Sequence, residues 1–186
     1  MPREDRSVIA ISLPETDNVL SYVRSRYTGE VPPVGVPAHL TLHFPWMPPT
    51  RINERTIAEL TSLFSGFPLF DITLELGWFG TEVLLLVPRD PVPLIRLTKA
   101  IINRWPEFPY YGGEYDNIEP HVTLAYGDEP SLSKLAAEIA DQVPIRVRAS
   151  TVDLSIGQPG HMVVRARFSL CPADSLAGSV DVRPDA

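Results

Sequence analysis

The chain has 186 residues, of which 44% are hydrophobic and 21% charged, a balance that is ordinary for a globular protein with a sizeable core. Its formal net charge of −7 argues against a broad surface for long duplex nucleic acid, but not against a small anion-binding cleft. With one cysteine, no apolar run near the roughly 20 residues of a membrane span and no signal-peptide pattern, we expect a cytoplasmic protein without a disulfide or a membrane contact.

The first half of the chain alternates between apolar strands and amphipathic helices. Residues 8–13 form a short apolar run typical of a core strand, and residues 15–27 carry apolar side chains at helical spacing. A loop rich in Pro and Gly leads to a second strand at residues 38–44, which ends at Pro45. An amphipathic helix is predicted for residues 51–64, so the order is strand, helix, strand, helix.

An apolar hairpin and a third helix follow. Residues 70–78 alternate between apolar and polar side chains and residues 82–87 are mostly apolar, which predicts a half-exposed strand beside a more central one. Residues 91–105 carry the apolar stripe of a helix. Residues 106–120 are a long connector rich in Tyr and Gly, which is either a functional loop or an ordinary surface loop, and they precede a strand that ends near Tyr126.

The last part of the chain is predicted as a helix and two long strands. The helix covers residues 131–142, the strands cover residues 144–156 and 162–170, and a loose tail begins at about residue 172. The second half thus repeats the strand–helix–strand–helix order of the first. We therefore predict one domain, residues 1–186, with an α+β fold of two lobes related by a pseudo-twofold axis and mainly antiparallel sheets.

One four-residue motif, His-apolar-Thr-apolar, occurs twice, beginning at His39 and at His121. Since alternate side chains of a strand share a face, each His lies on the same face as the Thr two residues later, Thr41 or Thr123. The chain contains only four His, and two of them are followed by the same pattern of residue types, which chance explains poorly. Two imidazoles can divide acid–base catalysis near neutral pH, and a Thr hydroxyl can donate to an anionic oxygen held between them.

The paired motifs resemble those of the 2H phosphoesterase superfamily, in particular the 2′-5′ RNA ligase and cyclic phosphodiesterase family, and the segment WPEFPYYGGEYDNIEPHVTLAYG also resembles its bacterial members. The resemblance implies two α+β lobes with an active-site cleft between them and one motif strand in each. It also implies a metal-independent phosphodiesterase that acts on 2′,3′-cyclic phosphate or 2′-5′ linkages of RNA or nucleotides.

The same resemblance assigns roles to the motif residues. His39 and His121 form the acid–base pair, and Thr41 and Thr123 bind the non-bridging phosphate oxygens. By family likeness the first His is the general acid for opening of the cyclic phosphate and the second is the base, but the sequence itself leaves the two roles open.

His43 is a further candidate for substrate contact. It stands two residues past Thr41, which predicts that it shares the face of His39. It has a functional role, through contact with a phosphate or an influence on His39, or it lies beyond the rim of the cleft. The matching position after Thr123 is Ala125, so the two halves differ here.

Two tyrosines complete the set of candidates for substrate contact. Tyr126 follows the second motif, where many relatives carry Arg, so recognition of a terminal phosphate is weaker here or is supplied from elsewhere. Tyr111, with Tyr110 and Tyr115 beside it in the connector, either stacks on a base or serves ordinary packing.

Other functions find less support in the sequence. No helical H-x-x-x-H, H-x-E or Cys–His cluster indicates a metal site, and no Gly-rich phosphate loop indicates ATP or a dinucleotide, so we expect no metal and no cofactor. The expected partner is a small nucleotide or an RNA end, bound by a monomer. The alternative function is a non-catalytic RNA- or nucleotide-binding module that retains the fold.

Overall fold

The structure is a computed structural model that describes residues 5–32, 38–115, 117–158 and 161–172, so the predicted loose tail lies, after residue 172, outside the described residues. Within these ranges the chain forms the following strands and α-helices: β1 (Arg6–Ser12), α1 (Asp17–Arg26), β2 (His39–His43), α2 (Glu54–Ser65), β3 (Phe70–Phe79), β4 (Val83–Pro88), α3 (Val92–Arg104), β5 (Val122–Tyr126), α4 (Glu129–Glu138), β6 (Ile145–Ala149), β7 (Thr151–Gln158) and β8 (His161–Ser169).

The strands form two four-stranded sheets with a common plan. The first sheet has the order β2-β1-β7-β8 and the second has the order β5-β4-β3-β6. Neighbouring strands are antiparallel throughout both sheets of the described chain. Each motif strand is an edge strand, β2 of the first sheet and β5 of the second. The predicted α+β fold with two antiparallel lobes is therefore confirmed.

The prediction of one long strand was wrong. Residues 144–156 do not form one long strand, because β6 pairs with β3 in the second sheet while β7 pairs with β1 in the first. The chain crosses between the sheets at Ser150, whose carbonyl accepts a hydrogen bond of 2.9 Å from the Leu170 amide. The buried residues Val147 and Ala149 precede the crossing and Val152 follows it, so the alternation of buried side chains changes phase there.

Two helices begin where a polar side chain caps them. Asn53 accepts a hydrogen bond of 3.1 Å from the Thr56 amide, so α2 starts later than predicted. Asp128 accepts one of 2.9 Å from the Ser131 amide, so α4 starts earlier than predicted. The capping residues thus fix where the helix after each motif strand begins.

The apolar residues of both motifs are buried in one core that both sheets share. Leu40 and Leu42 of β2 and Leu124 of β5 are fully buried, and Val122 is 3% exposed. The Cα atoms of β2 and β5 approach within 8 Å of one another. The core thus holds the edges of the two sheets side by side. None of the helices in the described ranges has the length and apolar character needed to cross a membrane.

Candidate active site

The first motif strand carries a one-residue bulge. Thr41 pairs with Ala10 of β1, and His43 pairs with the preceding residue, Ile9, so that Leu42 is the extra residue. A bulge bends the strand and re-aims the side chains that follow it.

The second motif strand carries the same bulge at the same place. Thr123 pairs with Leu85 of β4, and Ala125 pairs with Leu84, so that Leu124 is the extra residue. The two copies of the motif therefore match in backbone geometry as well as in sequence. Leu124 is the structural counterpart of the extra residue in β2, since each is the apolar residue that ends its motif.

In the first motif, His39 and Thr41 lie on one face of the sheet. His39 pairs with Ser12 and Thr41 pairs with Ala10, and residues paired across a ladder share a face. Both motif side chains are half-buried, while Leu40 between them is fully buried on the opposite face. The His and the Thr are thus accessible on the face opposite the core.

In the second motif, His121 and Thr123 are also half-buried, with Val122 buried between them. Nδ1 of His121 lies 2.7 Å from the carbonyl oxygen of Glu119. Because a carbonyl oxygen only accepts hydrogen bonds, Nδ1 carries the proton and Nε2 of the neutral ring keeps its lone pair. The local backbone therefore holds His121 in the tautomer that can accept a proton at Nε2.

His43 does not share the face of His39, and the sequence prediction was wrong on this point. The bulge at Leu42 turns His43 to the core face, where it is fully buried. Its Nε2 donates to the Phe108 carbonyl over 2.9 Å, and its ring packs edge-on against Tyr110. Burial lowers the pKa of His43 to about 4, although the carbonyl groups of Phe108 and Pro45 act in the opposite direction. His43 thus packs under the connector instead of lining an open face.

Tyr111 of the connector reaches the first motif. Its amide donates to the Phe44 carbonyl over 2.9 Å, and its side chain lies beside that of Thr41, close enough for the two hydroxyl groups to interact. Burial raises the pKa of Tyr111, so the hydroxyl keeps its proton near neutral pH. Among the described residues it is the one non-glycine with a positive φ, 47°, and Gly112 follows with a φ of 67°. The left-handed backbone at a bulky residue is a local strain of the kind that proteins retain at functional positions.

Tyr126, at the end of β5, is 40% exposed. Its amide donates to the Glu30 carbonyl over 2.8 Å, and its carbonyl accepts from the Tyr27 hydroxyl over 3.1 Å. The backbone is therefore fixed while the ring reaches solvent. A shallow pocket beside it is lined by Tyr27, Glu30 and Asp128 among others.

A polar network on the first sheet was missed from the sequence. Asp153 of β7 is 2% exposed and accepts a hydrogen bond of 2.8 Å from the Ser12 hydroxyl. Arg167 of β8 donates to the same carboxylate through Nε and Nη2, over 2.6 and 2.9 Å. The signal in the sequence was a lone acidic residue between the apolar Val152 and Leu154, in a segment predicted as a strand. Such a residue needs partners when it is buried.

The described residues contain no group of three or more His, Cys, Asp or Glu side chains able to hold a metal ion. What the two edge strands present is two imidazoles and two hydroxyl groups. An imidazole ring can accept or donate a proton through its nitrogens, and a Thr hydroxyl can donate a hydrogen bond to an anion.

Comparison with known proteins gives one family and several solved structures. The model of the 2′-5′ RNA ligase superfamily matches residues 19–158. E. coli LigT complexed with 3′-AMP is 19% identical, with a TM-score of 0.61 over 90% of this chain and 99% of that one. LigT in apo form is 21% identical, with a TM-score of 0.59 over 91% and 99%. TT0787 of Thermus thermophilus is 18% identical, with a TM-score of 0.57 over 90% and 99%. No curated protein matches the chain.

Proposed function

The chain belongs to the 2′-5′ RNA ligase superfamily, and on this premise we propose that it is a metal-independent phosphodiesterase that uses two histidines. Its substrates are 2′,3′-cyclic phosphates or 2′-5′ phosphodiester linkages of RNA or nucleotides. The catalytic residues are His39 and His121, and Thr41 and Thr123 bind the phosphate.

One observation carries this proposal. The His-apolar-Thr-apolar motif occurs on two edge strands, each with a bulge at the motif's last residue, and the two edges lie side by side. A single half-buried strand histidine would be an ordinary feature of a sheet. Two equivalent His–Thr pairs in corresponding places of two similar sheets supply matched acid–base and hydrogen-bonding groups for a phosphate between them.

The tautomer of His121 supports an assignment of roles. With its Nδ1 proton donated to the Glu119 carbonyl, Nε2 accepts a proton from water as the water oxygen bonds to phosphorus. His39, as imidazolium, gives a proton to the ribose oxygen as its bond to phosphorus breaks. Thr41 and Thr123 donate to the non-bridging oxygens. In ligation or transesterification, a ribose hydroxyl replaces water.

The substrate we propose is a small nucleotide or an RNA end, bound by a monomer. Structures of LigT, a protein of the same fold, contain 3′-AMP, NADP+ and ATP. Small nucleotides are therefore reasonable ligands to test first. Long duplex nucleic acid is disfavoured by the net charge of −7.

The test is turnover of the four nucleoside 2′,3′-cyclic monophosphates in EDTA. We expect hydrolysis by the wild type and a loss of about 10²- to 10⁴-fold in kcat for His39→Ala and His121→Ala, the range that general acid–base catalysis contributes. His161→Ala is the matched control, since His161 is exposed at the start of β8. Equal activity of His121→Ala and His161→Ala would contradict the two-histidine mechanism.

The same variants separate the enzyme from the alternative, a binding module. An enzyme whose His39 acts in catalysis keeps most of its nucleotide affinity in His39→Ala while cleavage stops. A binding module shows nucleotide affinity without cleavage by either the wild type or the variant.

A further inference from the structure

The strand register of the first sheet places four residues in one row across all four strands. Thr41 of β2 pairs with Ala10 of β1, Ala10 pairs with Asp153 of β7, and Asp153 pairs with Arg167 of β8. Paired residues of antiparallel strands present their side chains on the same face. Arg167 therefore lies on the face of the sheet that carries Thr41.

Asp153 fixes the guanidinium of Arg167 in a defined orientation. The Arg167 side chain is 58% exposed, whereas that of Asp153 is 3% exposed, so the carboxylate holds the cation from below. Nε and Nη2 donate to the carboxylate. This side-on pairing leaves the other edge of the guanidinium, with Nη1, turned away from Asp153 and able to donate two parallel hydrogen bonds to an oxyanion.

The carboxylate remains ionised under this cation. Burial raises the pKa of Asp153, but the hydrogen bonds from Arg167 and Ser12 and the charge of Arg167 lower it by more. The pKa of Asp153 is therefore below its ordinary value. The Ser12 hydroxyl, which donates to Asp153, belongs to the residue paired with His39. The network thus extends from the residue paired with His39 to Arg167.

The distance between Thr41 and Arg167 suits two phosphates of one nucleotide. Three strand spacings of about 4.8 Å separate the two backbones, roughly 14 Å. The arginine side chain leans back over Asp153, which brings the guanidinium closer to Thr41. Ala10, the residue between Thr41 and Asp153 in the row, carries only a methyl group, so the bulky polar side chains of the row stand on either side of it.

We propose that Arg167, positioned by Asp153, binds a second phosphate of the substrate. The inference rests on the proposed function, in which Thr41 binds the reacting phosphate. The preferred substrate is then a nucleotide or RNA end that carries a 5′-phosphate in addition to the reacting 2′,3′-phosphate. This cation also compensates for Tyr126, which cannot offer a charge to a terminal phosphate.

The test is a binding comparison that needs no turnover. Calorimetry measures the affinity of the wild type, Arg167→Gln and Arg165→Gln for adenosine 2′,5′-bisphosphate and for adenosine 2′-monophosphate. Arg165 is the matched control, since it is exposed on the same strand and its loss changes the net charge equally. We expect the wild type and Arg165→Gln to bind the bisphosphate about 10- to 100-fold more tightly than the monophosphate, the range of a charge-assisted hydrogen bond. For Arg167→Gln we expect the ratio of the two affinities to be near one.

A second variant covers the chance that Arg167→Gln fails to fold once Asp153 loses its charged partner. Arg167→Lys keeps a cation beside Asp153 but lacks the planar fork, so we expect a folded protein with a reduced preference for the bisphosphate. An unchanged preference in both Arg167 variants, or no preference in the wild type, overturns the inference.

Turnover of adenosine 2′,3′-cyclic monophosphate by the same proteins separates this inference from the proposed function. Arg165→Gln should keep the turnover of the wild type, which shows that the loss of one exposed positive charge from β8 does not disturb hydrolysis. Turnover by the wild type without a preference for the bisphosphate refutes the role of Arg167 alone. A preference for the bisphosphate without any turnover refutes the proposed hydrolysis and leaves the second phosphate site standing.

Discussion

His39 and His43 show how one extra residue in a strand separates two histidines chemically. By simple alternation they would share a face, but the bulge at Leu42 leaves His39 half-buried on the motif face and buries His43 completely. Alternation of apolar and polar residues predicted the face of the motif His and Thr in both strands. It could not predict the bulge, because Leu42 and His43 are both compatible with a regular strand in the sequence.

The buried His43 makes the stability of the protein dependent on pH. Its pKa is about 4 in the folded chain and 6.5 in the unfolded chain, so between these values the unfolded chain binds more protons. The free energy of unfolding should therefore fall as pH drops from 6.5 to 4, by up to about 3 kcal/mol from this residue. Urea unfolding of the wild type and of His43→Phe between these pH values measures the effect.

We expect His43→Phe to remove this part of the pH dependence, since a benzene ring cannot be protonated. His161→Ala controls for the loss of a histidine that is exposed. Parallel pH curves for the wild type and His43→Phe would show that His43 accepts a proton in the folded protein without cost.

At the scale of elements, the four predicted helices were found, but α2 starts later and α4 starts earlier than predicted, although each start carries a local signal. Helices α2 and α4 begin directly after the capping residues Asn53 and Asp128, which are recognisable side chains. The break at Ser150 was missed because both β6 and β7 alternate regularly. In the sequence, the break is marked only by a shift in which alternate positions are apolar, between Val147 and Val152. Which sheet each strand joins depends on pairing with strands far away in the chain.

The connector between α3 and β5 positions the first motif through Tyr111. Its side chain lies beside that of Thr41, close enough for the two hydroxyl groups to interact. Removal of the Tyr111 hydroxyl in Tyr111→Phe should lower kcat with a 2′,3′-cyclic nucleotide by about 5- to 10-fold, the equivalent of one neutral hydrogen bond. Tyr115→Phe, in the same connector, is the control, because Tyr115 is exposed and its ring packs edge-on with that of Tyr111. A faster Tyr111→Phe enzyme would indicate instead that the tyrosine obstructs the phosphate site.

At the scale of the whole molecule, the two sheets are similar in plan but are not independent. Each places its motif strand at an edge and buries the apolar motif residues in the core that both share. Helix α1, which follows β1 of the first sheet, also reaches the second: the Tyr27 hydroxyl, just after this helix, donates to the Tyr126 carbonyl. The pseudo-twofold plan was predicted from the order of elements, whereas the common core depends on contacts between residues far apart in sequence.

From this common core we propose that the two lobes unfold together as one domain. Leu42 and Leu124 are the extra residues of the two bulges and both are fully buried, so they form a matched pair, one in each lobe. Leu42→Ala and Leu124→Ala should each lower the free energy of unfolding by about 2–5 kcal/mol, because each leaves a cavity in the core.

In urea, far-ultraviolet circular dichroism and tryptophan fluorescence should report one coincident transition for the wild type and for both variants. The tryptophans suit this test, since Trp46 follows β2 of the first sheet, Trp78 lies on β3 of the second, and Trp105, which follows α3, packs against Trp46. If the lobes unfolded separately, Leu124→Ala would shift only part of the signal and the two probes would no longer coincide. A single transition that shifts equally in both probes is the outcome expected of one core, in which a cavity behind either motif destabilises both lobes.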